Sequence, residues 1–436
     1  MGLQGVETAA WFGRAKSALV SGVSSGFRYL GDDDTLVISR GQGAYVYDMD
    51  GTRYLDYQLG YGPIILGHGH PAVSAAVSEA AAAGTTFAMT SSTEVVAAER
   101  VKQAVPWIDR LRFTNTGTES TMHAIRLARG ITGREVIVKF EGAYHGAHDY
   151  VLFTTATAPP DHLGSRRSPI PHQVSSGIPT AIRQYVRTLP YNDLGAVERL
   201  FASEGPRIAA FIVEPMMGNV FGILPEPGFL EGIRAICDRY GSVLIFDEVK
   251  TGFRIALGGA AEAFGVVPDI STFAKSMGNG FPVAAIAGKE EYVGAWEAGG
   301  ITQAGTYSGN GIATAAAAAT IGELSTGAAY RQIHEVGSAL MEGIARACSD
   351  AGVTARVIGL PPMFSIYFGE GDPKDFRAVA GHDAALYLAV IHGMVRRGVM
   401  PCDDALEPWF VSAAHTMDDV AETLEAFSAS LAEVTA

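Results

Sequence analysis

Cysteine, lysine and long apolar runs are all scarce in this 436-residue chain. Cysteine occurs three times, at Cys237, Cys348 and Cys402. An odd and widely spaced set argues against a disulfide framework and against a CxxC metal site, and it suits a reducing cytoplasm. The apolar stretches are too short, or too interrupted by glycine and charge, to span a membrane, and the run from Ala313 to Ala319 reads as a close-packed helix. Residues 1–22 lack the basic start, apolar centre and cleavage pattern of a secretory signal, and Val6 stands where a myristoylation signal has Ser or Thr. No repeat and no charged tail is visible. The net charge of −14 and pI near 5.2 oppose general affinity for nucleic acid or an anionic membrane.

Lysine is the informative scarcity. Seven are present, at positions 16, 102, 139, 250, 275, 289 and 374, against 25 arginines, so each can be weighed singly. Lys275 follows the strand-like stretch Asp269 to Ala274 and precedes Gly278-Asn-Gly-Phe-Pro282, which continues neither a helix nor a strand. A lysine at a strand end beside a glycine-rich turn sits where α/β folds keep their chemistry. A surface lysine closing a strand is the alternative.

Hydrophobic content of 48% and 52 glycines allow a large core arranged in two or three lobes. Three zones are expected: an N-terminal segment, residues 1–75, forming part of a small domain; a large domain over 76–310; and a C-terminal α+β small domain over 311–436. In the middle zone apolar runs of strand length alternate with helical patterns, at Leu111–Phe113, Val136–Phe140, Ile208–Val213, Val243–Phe246 and Ile270–Phe273. Such runs imply an α/β fold with a mostly parallel sheet covered on both faces. Between about 160 and 185 the chain turns rich in Pro, Ser and His, which marks a long functional or mobile loop.

Parallel sheets place ligand groups in the loops after their strands. Asn115-Thr-Gly-Thr-Glu119 opens a helix after one strand, and small residues at a helix N-terminus offer N–H groups to a phosphate. Simple capping by Thr116 or Thr118 is the alternative. Asp247 ends a buried strand and needs a positive partner, either a protonated ring nitrogen or an arginine such as Arg254. Phosphate cup, Tyr144, acid and lysine, in this order, are the parts needed to hold pyridoxal phosphate. His145 and His148 have H-x-x-H spacing, but no third ligand or carboxylate pattern accompanies them, so no metal is expected. His68 and His70 are read as serving a turn or the active-site entrance. No Walker or Rossmann glycine fingerprint appears in its required context.

The stretches Gly43–Gly51, Leu66–Pro71, Phe113–Glu119, Gly142–Gly146, Asp247–Arg254 and Gly305–Asn310 together resemble the fold-type I, class III aminotransferases, over roughly residues 20 to 430. Ser21–Arg28, Glu214–Asn219 and Ser412–Thr416 are most similar to the glutamate-1-semialdehyde aminomutase branch. The resemblance implies a small domain built from both chain ends. It makes Lys275 the Schiff-base lysine, Asp247 the partner of the pyridine nitrogen and Tyr144 the ring on the cofactor face. Thr116, Gly117 and Thr118 would cup the phosphate, and Asn219 would lie near the phenolic oxygen, with His145 and Val249 also beside the cofactor. Thr306 would reach the phosphate of a neighbouring subunit, which implies a homodimer with shared sites.

For substrate, the resemblance points to Arg28 as the carboxylate grip, with Ser25 and Tyr61 nearby and Glu407 paired to Arg28 while the site is empty. A guanidinium holds a carboxylate through two bonds, which suits a small-molecule amino donor and a keto acceptor. Three departures favour an aminotransferase over an aminomutase. Met277–Pro282 replaces a glycine-rich segment, Ala158–Tyr191 lacks the pattern of the aminomutase gating loop, and Tyr61 stands where tryptophan is frequent. A carboxylate-bearing amino acid is the expected donor, with β- and D-amino acids among the candidates; the aminomutase is the runner-up. A non-catalytic protein that kept the fold is a third reading, against which Lys275, Asp247 and Tyr144 stand together.

Overall fold

The computed structural model describes residues 2–435. Its centre is a seven-stranded sheet with spatial order Arg110–Thr114, Ala284–Gly288, Ile270–Phe273, Val243–Glu248, Ile208–Val213, Val136–Phe140 and Val186–Leu189. All neighbours are parallel except Ala284–Gly288, which runs against both strands it separates. Every residue of Val136–Phe140, Ile208–Val213 and Val243–Glu248 is buried. Because side chains alternate, Ile137, Ile212 and Ile245 pack with Ala124 and Leu127 of the Gly117–Thr132 helix on one face. Val138, Phe211 and Phe246 pack with Phe229 and Ile233 of the Phe229–Tyr240 helix on the other. Truncating Phe211 to alanine would cost about 3–5 kcal/mol through the cavity left behind.

Two strands escape the sequence pattern. Val186–Leu189 is an edge strand carrying Arg187 and Thr188, and Ala284–Gly288 is mostly alanine, a weak strand former. Their pairing is decided by neighbours rather than by local preference.

Both chain ends meet in a second sheet, where Val399–Met400 lies parallel to Arg53–Asp56, which pairs with Tyr45–Asp48, which in turn pairs with Ile38–Gln42. A third sheet, of Ala355–Leu360, Met363–Phe368 and Trp409–Phe410, packs with the helices Ala328–Asp350 and Ala384–Arg396. Among the described residues no helix is long and apolar enough to cross a membrane.

The Pro-, Ser- and His-rich stretch is held down rather than loose. It contains a small hairpin, Gly164–Ser165 with Ser168–Pro169. Arg377 donates to the carbonyls of Leu163 and Gly164 at 3.0 and 2.7 Å while bridging the Glu141 carboxylate through two bonds of 2.7 Å. Arg166 adds an ion pair with Asp375.

Candidate active site

The carboxyl ends of the parallel strands converge on one cavity of about 170 Å3, lined by Thr116, Gly117, Thr118, Tyr144, Asp247 and Lys275 among others. Each side chain arrives for a local reason. The Gly117–Thr132 helix starts because Thr116, in an extended conformation, accepts from the Glu119 N–H at 3.1 Å, while Glu119 reaches back to the Asn115 N–H at 2.7 Å. The capping and phosphate readings of this segment are therefore compatible. Capping uses the Glu119 N–H, and the first-turn N–H groups of Gly117 and Thr118 have no partner within the helix. Space for an anion depends on glycine. A Cβ on Gly117 would lie 2.9 Å from Val249 Cγ2, and one on Gly146, at φ +102°, would lie 2.7 Å from Thr118 Oγ1.

Asp247 is 4% exposed, and both of its oxygens have partners. Its Oδ2 lies 2.7 Å from His145 Nδ1, and its Oδ1 accepts from the Val249 N–H at 3.1 Å and from Thr272 Oγ1 at 3.2 Å. Arg254, the alternative partner, is elsewhere. It is fully buried and spends its guanidinium on the carbonyls of Gly62, Pro362 and Val411. His145 is thus an orienting partner of the acid, and its Nε2 is buried without a protein partner. Beside it, burial holds the His148 ring down to about 4.

Tyr144 donates its N–H to Glu214 Oε1 at 2.8 Å, and Asn219 Nδ2 donates to Glu214 Oε2 at 2.9 Å. Burial pushes the Glu214 carboxyl upward and the Tyr144 phenol upward as well. Lys275 follows the Ile270–Phe273 strand in a left-handed backbone conformation, φ 47°, rare for a non-glycine residue. That conformation persists because Ser276 Oγ anchors to the Gly62 carbonyl at 3.0 Å and Asn279, also left-handed, bonds Ile65 and Leu66. Burial, then nearby Lys250, lowers the Lys275 amine to about 7, so much of it is neutral near neutrality.

The residues that line this wall match one group chemically. Helix N–H groups and threonine hydroxyls suit a phosphate, a carboxyl suits a protonated ring nitrogen, and a half-neutral amine suits an aldehyde. Fold and site together define a pyridoxal-phosphate-dependent transferase of fold type I. The chain belongs to the class III aminotransferase family, which matches residues 30–430. It is 41% identical to a glutamate-1-semialdehyde 2,1-aminomutase of Desulfatibacillum aliphaticivorans, over 95% of this chain and 96% of that one. Among solved structures it resembles an omega-transaminase from Sphaerobacter thermophilus, at 31% identity and TM-score 0.94 over 99% and 98% of the two chains. It also resembles a transaminase with pyridoxal phosphate bound, at 27% identity and TM-score 0.89 over 98% and 97%. Pyridoxal 5'-phosphate is accordingly its cofactor.

The residues expected to hold substrate are placed differently. Arg28 and Tyr61 line a second cavity of about 290 Å3 that includes Phe27, His392 and Asp403. Ser25, only half-buried, lines neither cavity. The Tyr61 phenol, pushed up by burial, donates to the Phe27 carbonyl. The Phe27 ring meets Tyr61 and Tyr144 edge-on, at centroid distances of 6.4 and 6.3 Å, and so links the two cavities. Glu407 does not pair with Arg28. It takes the Lys250 ammonium, because both are buried while Arg28 is exposed. Thr306 lies exposed in the turn before Asn310 and lines neither cavity of its own chain. Sequence reasoning left out Lys250, Glu214 and Thr121, all of which line the first cavity. Glu214 and Lys250 stand at or just beyond strand ends and were detectable by position; Thr121, one helical turn inside, carries no such signal.

Proposed function

We propose that this enzyme is an aminotransferase that moves an amino group between a carboxylate-bearing amino acid and a keto acid, with β- and D-amino acids as the donors to test first. The observation that carries this reading is the Ala158–Tyr191 segment. It supplies no residue to the cofactor cavity and is tied to Glu141 and Asp375 through Arg377 and Arg166. A product formed in the cavity is therefore not enclosed by that segment of its own chain, which favours release and a second keto acid over internal recycling.

In this reading Lys275 Nζ is the amine that would hold the cofactor through its aldehyde. When bound, the cofactor supplies an electron sink for the charge left as a proton departs. Lys275 Nζ would take that proton from the carbon bearing the amino group and place it on the cofactor's aldehyde carbon rather than return it, a task suited to an amine poised near 7. Asp247, steadied by His145 and Thr272, keeps a proton on the ring nitrogen. Thr116, Gly117 and Thr118 would hold the phosphate, Tyr144, His145 and Val249 would confine the ring, and Asn219 would serve the phenolic oxygen. Arg28, across Phe27, grips the substrate carboxylate beside Tyr61.

The active unit in this reading is a homodimer to which Thr306 contributes across the interface. Support comes from an exposed surface containing Phe87, Met89 and Tyr307, at 51%, 83% and 64% exposure. The two segments that carry it are joined where Asn310 Nδ2 donates to the Thr85 carbonyl at 3.1 Å and to Thr86 Oγ1 at 3.2 Å. Fresh apolar exposure of this kind is typical of a face covered by a partner.

A second reading, 2,1-aminomutation, is favoured by the 41% identity to the relative of that name. Incubation with glutamate 1-semialdehyde in the absence of a keto acceptor separates the two. Stoichiometric, self-limiting reaction is expected; sustained isomerisation would establish the second reading in place of the first.

A further inference from the structure

Lys250 lies two residues beyond the Val243–Glu248 strand and lines the same cavity as Lys275. It is 7% exposed, donates to the Gly218 carbonyl at 2.8 Å and to the Glu407 carboxylate, and sits 5.9 Å from the centre of the Phe410 ring. Glu407, 8% exposed, comes from the loop before the Trp409–Phe410 strand. Burying an ion pair is expensive, and a methionine–leucine pair would fill the same volume at no electrostatic cost. A pair retained beside a reactive amine calls for an electrostatic role.

We propose that the Lys250–Glu407 pair sets the protonation of Lys275. A second cation on the buried wall of the cavity disfavours charge on the Lys275 amine and keeps it a nucleophile and base, while Glu407 limits the effect so that the amine still holds a proton when it must deliver one. Lys250 is thus a positioning residue acting through charge, and Glu407 is its counterweight. The other charged groups facing Lys275 are Glu214, at the end of the Ile208–Val213 strand, and Asp247, at the end of the Val243–Glu248 strand and bonded to His145. The Tyr144 phenol and the His145 imidazole are the remaining titratable groups on this wall. After burial, Lys250 is the strongest influence lowering Lys275, and Glu407, Glu214 and Asp247 act upward.

The inference rests on Lys275 being the cofactor-bearing amine, which borohydride reduction of the loaded enzyme and mass spectrometry of the labelled peptide test separately. Its own test is competitive acetylation of the full chain stripped of cofactor, across a pH series. The rate at Lys275 is read by mass spectrometry against exposed Lys102. K250Q should move the Lys275 labelling midpoint up by about one pH unit or more, since it removes a cation and strands an anion. K250R should leave the midpoint near that of the wild type. K250Q/E407Q, which buries no unpaired charge and stays informative if K250Q does not fold, should give a smaller upward shift. An unchanged midpoint in K250Q or the double variant, or a K250R shift as large as that of K250Q, overturns the proposal.

Discussion

The two neighbouring cavities are built in opposite ways. The cofactor cavity draws on strand ends between Thr114 and Lys275 of one sheet, and nearly every polar group in it is tied to another. The second cavity is assembled from residues 3–61 and 391–403, regions separated by most of the chain, and its arginine is exposed and unpaired among the described residues. A site with its groups fixed in advance suits a resident cofactor that must be held in one orientation. A site with a free guanidinium and a mixed apolar lining suits exchange of many substrate molecules, one after another.

The contrast is broken most severely at Lys275. Lys275→Ala should keep cofactor affinity without the covalent bond and lose turnover by at least about a thousandfold, since it removes nucleophile and base together. Absorbance spectra and single-turnover kinetics read both effects, and a label trapped on another lysine would reassign the role. Asp247→Asn comes next, with an expected fall in kcat of about two to three orders of magnitude, the scale of losing one preorganised charge at a reacting centre. Near-normal turnover would show that the acid only supports His145.

Across Phe27 the effect should be smaller and selective. Arg28→Ala should lower kcat/KM for carboxylate-bearing donors by about 1.5–3 kcal/mol, roughly 10- to 100-fold, and leave simple amines nearly untouched. Equal losses for both would make Arg28 structural and erase the distinction between the cavities.

The mildest test uses a buried lysine outside both. Lys139 is fully buried, donates to the carbonyls of Phe140 and Phe153 at 3.1 and 2.7 Å, and is lowered to about 7 chiefly by burial. Because the unfolded chain holds that proton up to about 10.4, wild-type stability should rise with pH relative to Lys139→Met, beginning near pH 7. The gain should be on the order of 2 kcal/mol between pH 7 and 9 by urea unfolding, and turnover should keep its pH profile. A flat difference would mean that Lys139 keeps its proton in the folded chain up to pH 9.

How much of this was readable beforehand varies with how local the cause is. The Ile208–Val213 and Val243–Glu248 strands announce themselves as continuous apolar runs ending in acids, and Lys275 stands out by rarity and by the turn after it. Thr116 and Glu119 reveal a helix start through their spacing alone. Ala284–Gly288 does not, because nothing in an alanine-rich pentapeptide favours pairing until Arg110–Thr114 and Ile270–Phe273 flank it.

The sequence by itself determined the elements, their alternating burial and the chemical kinds of residue set at the strand ends, because periodicity, capping and turn chemistry act over a few residues. Tertiary structure alone decided the partners. Asp247 met His145 rather than Arg254, and Glu407 met Lys250 rather than Arg28. Charge pairing below the surface is chosen by which groups are buried together, and burial is a property of the packed chain, not of any segment read alone.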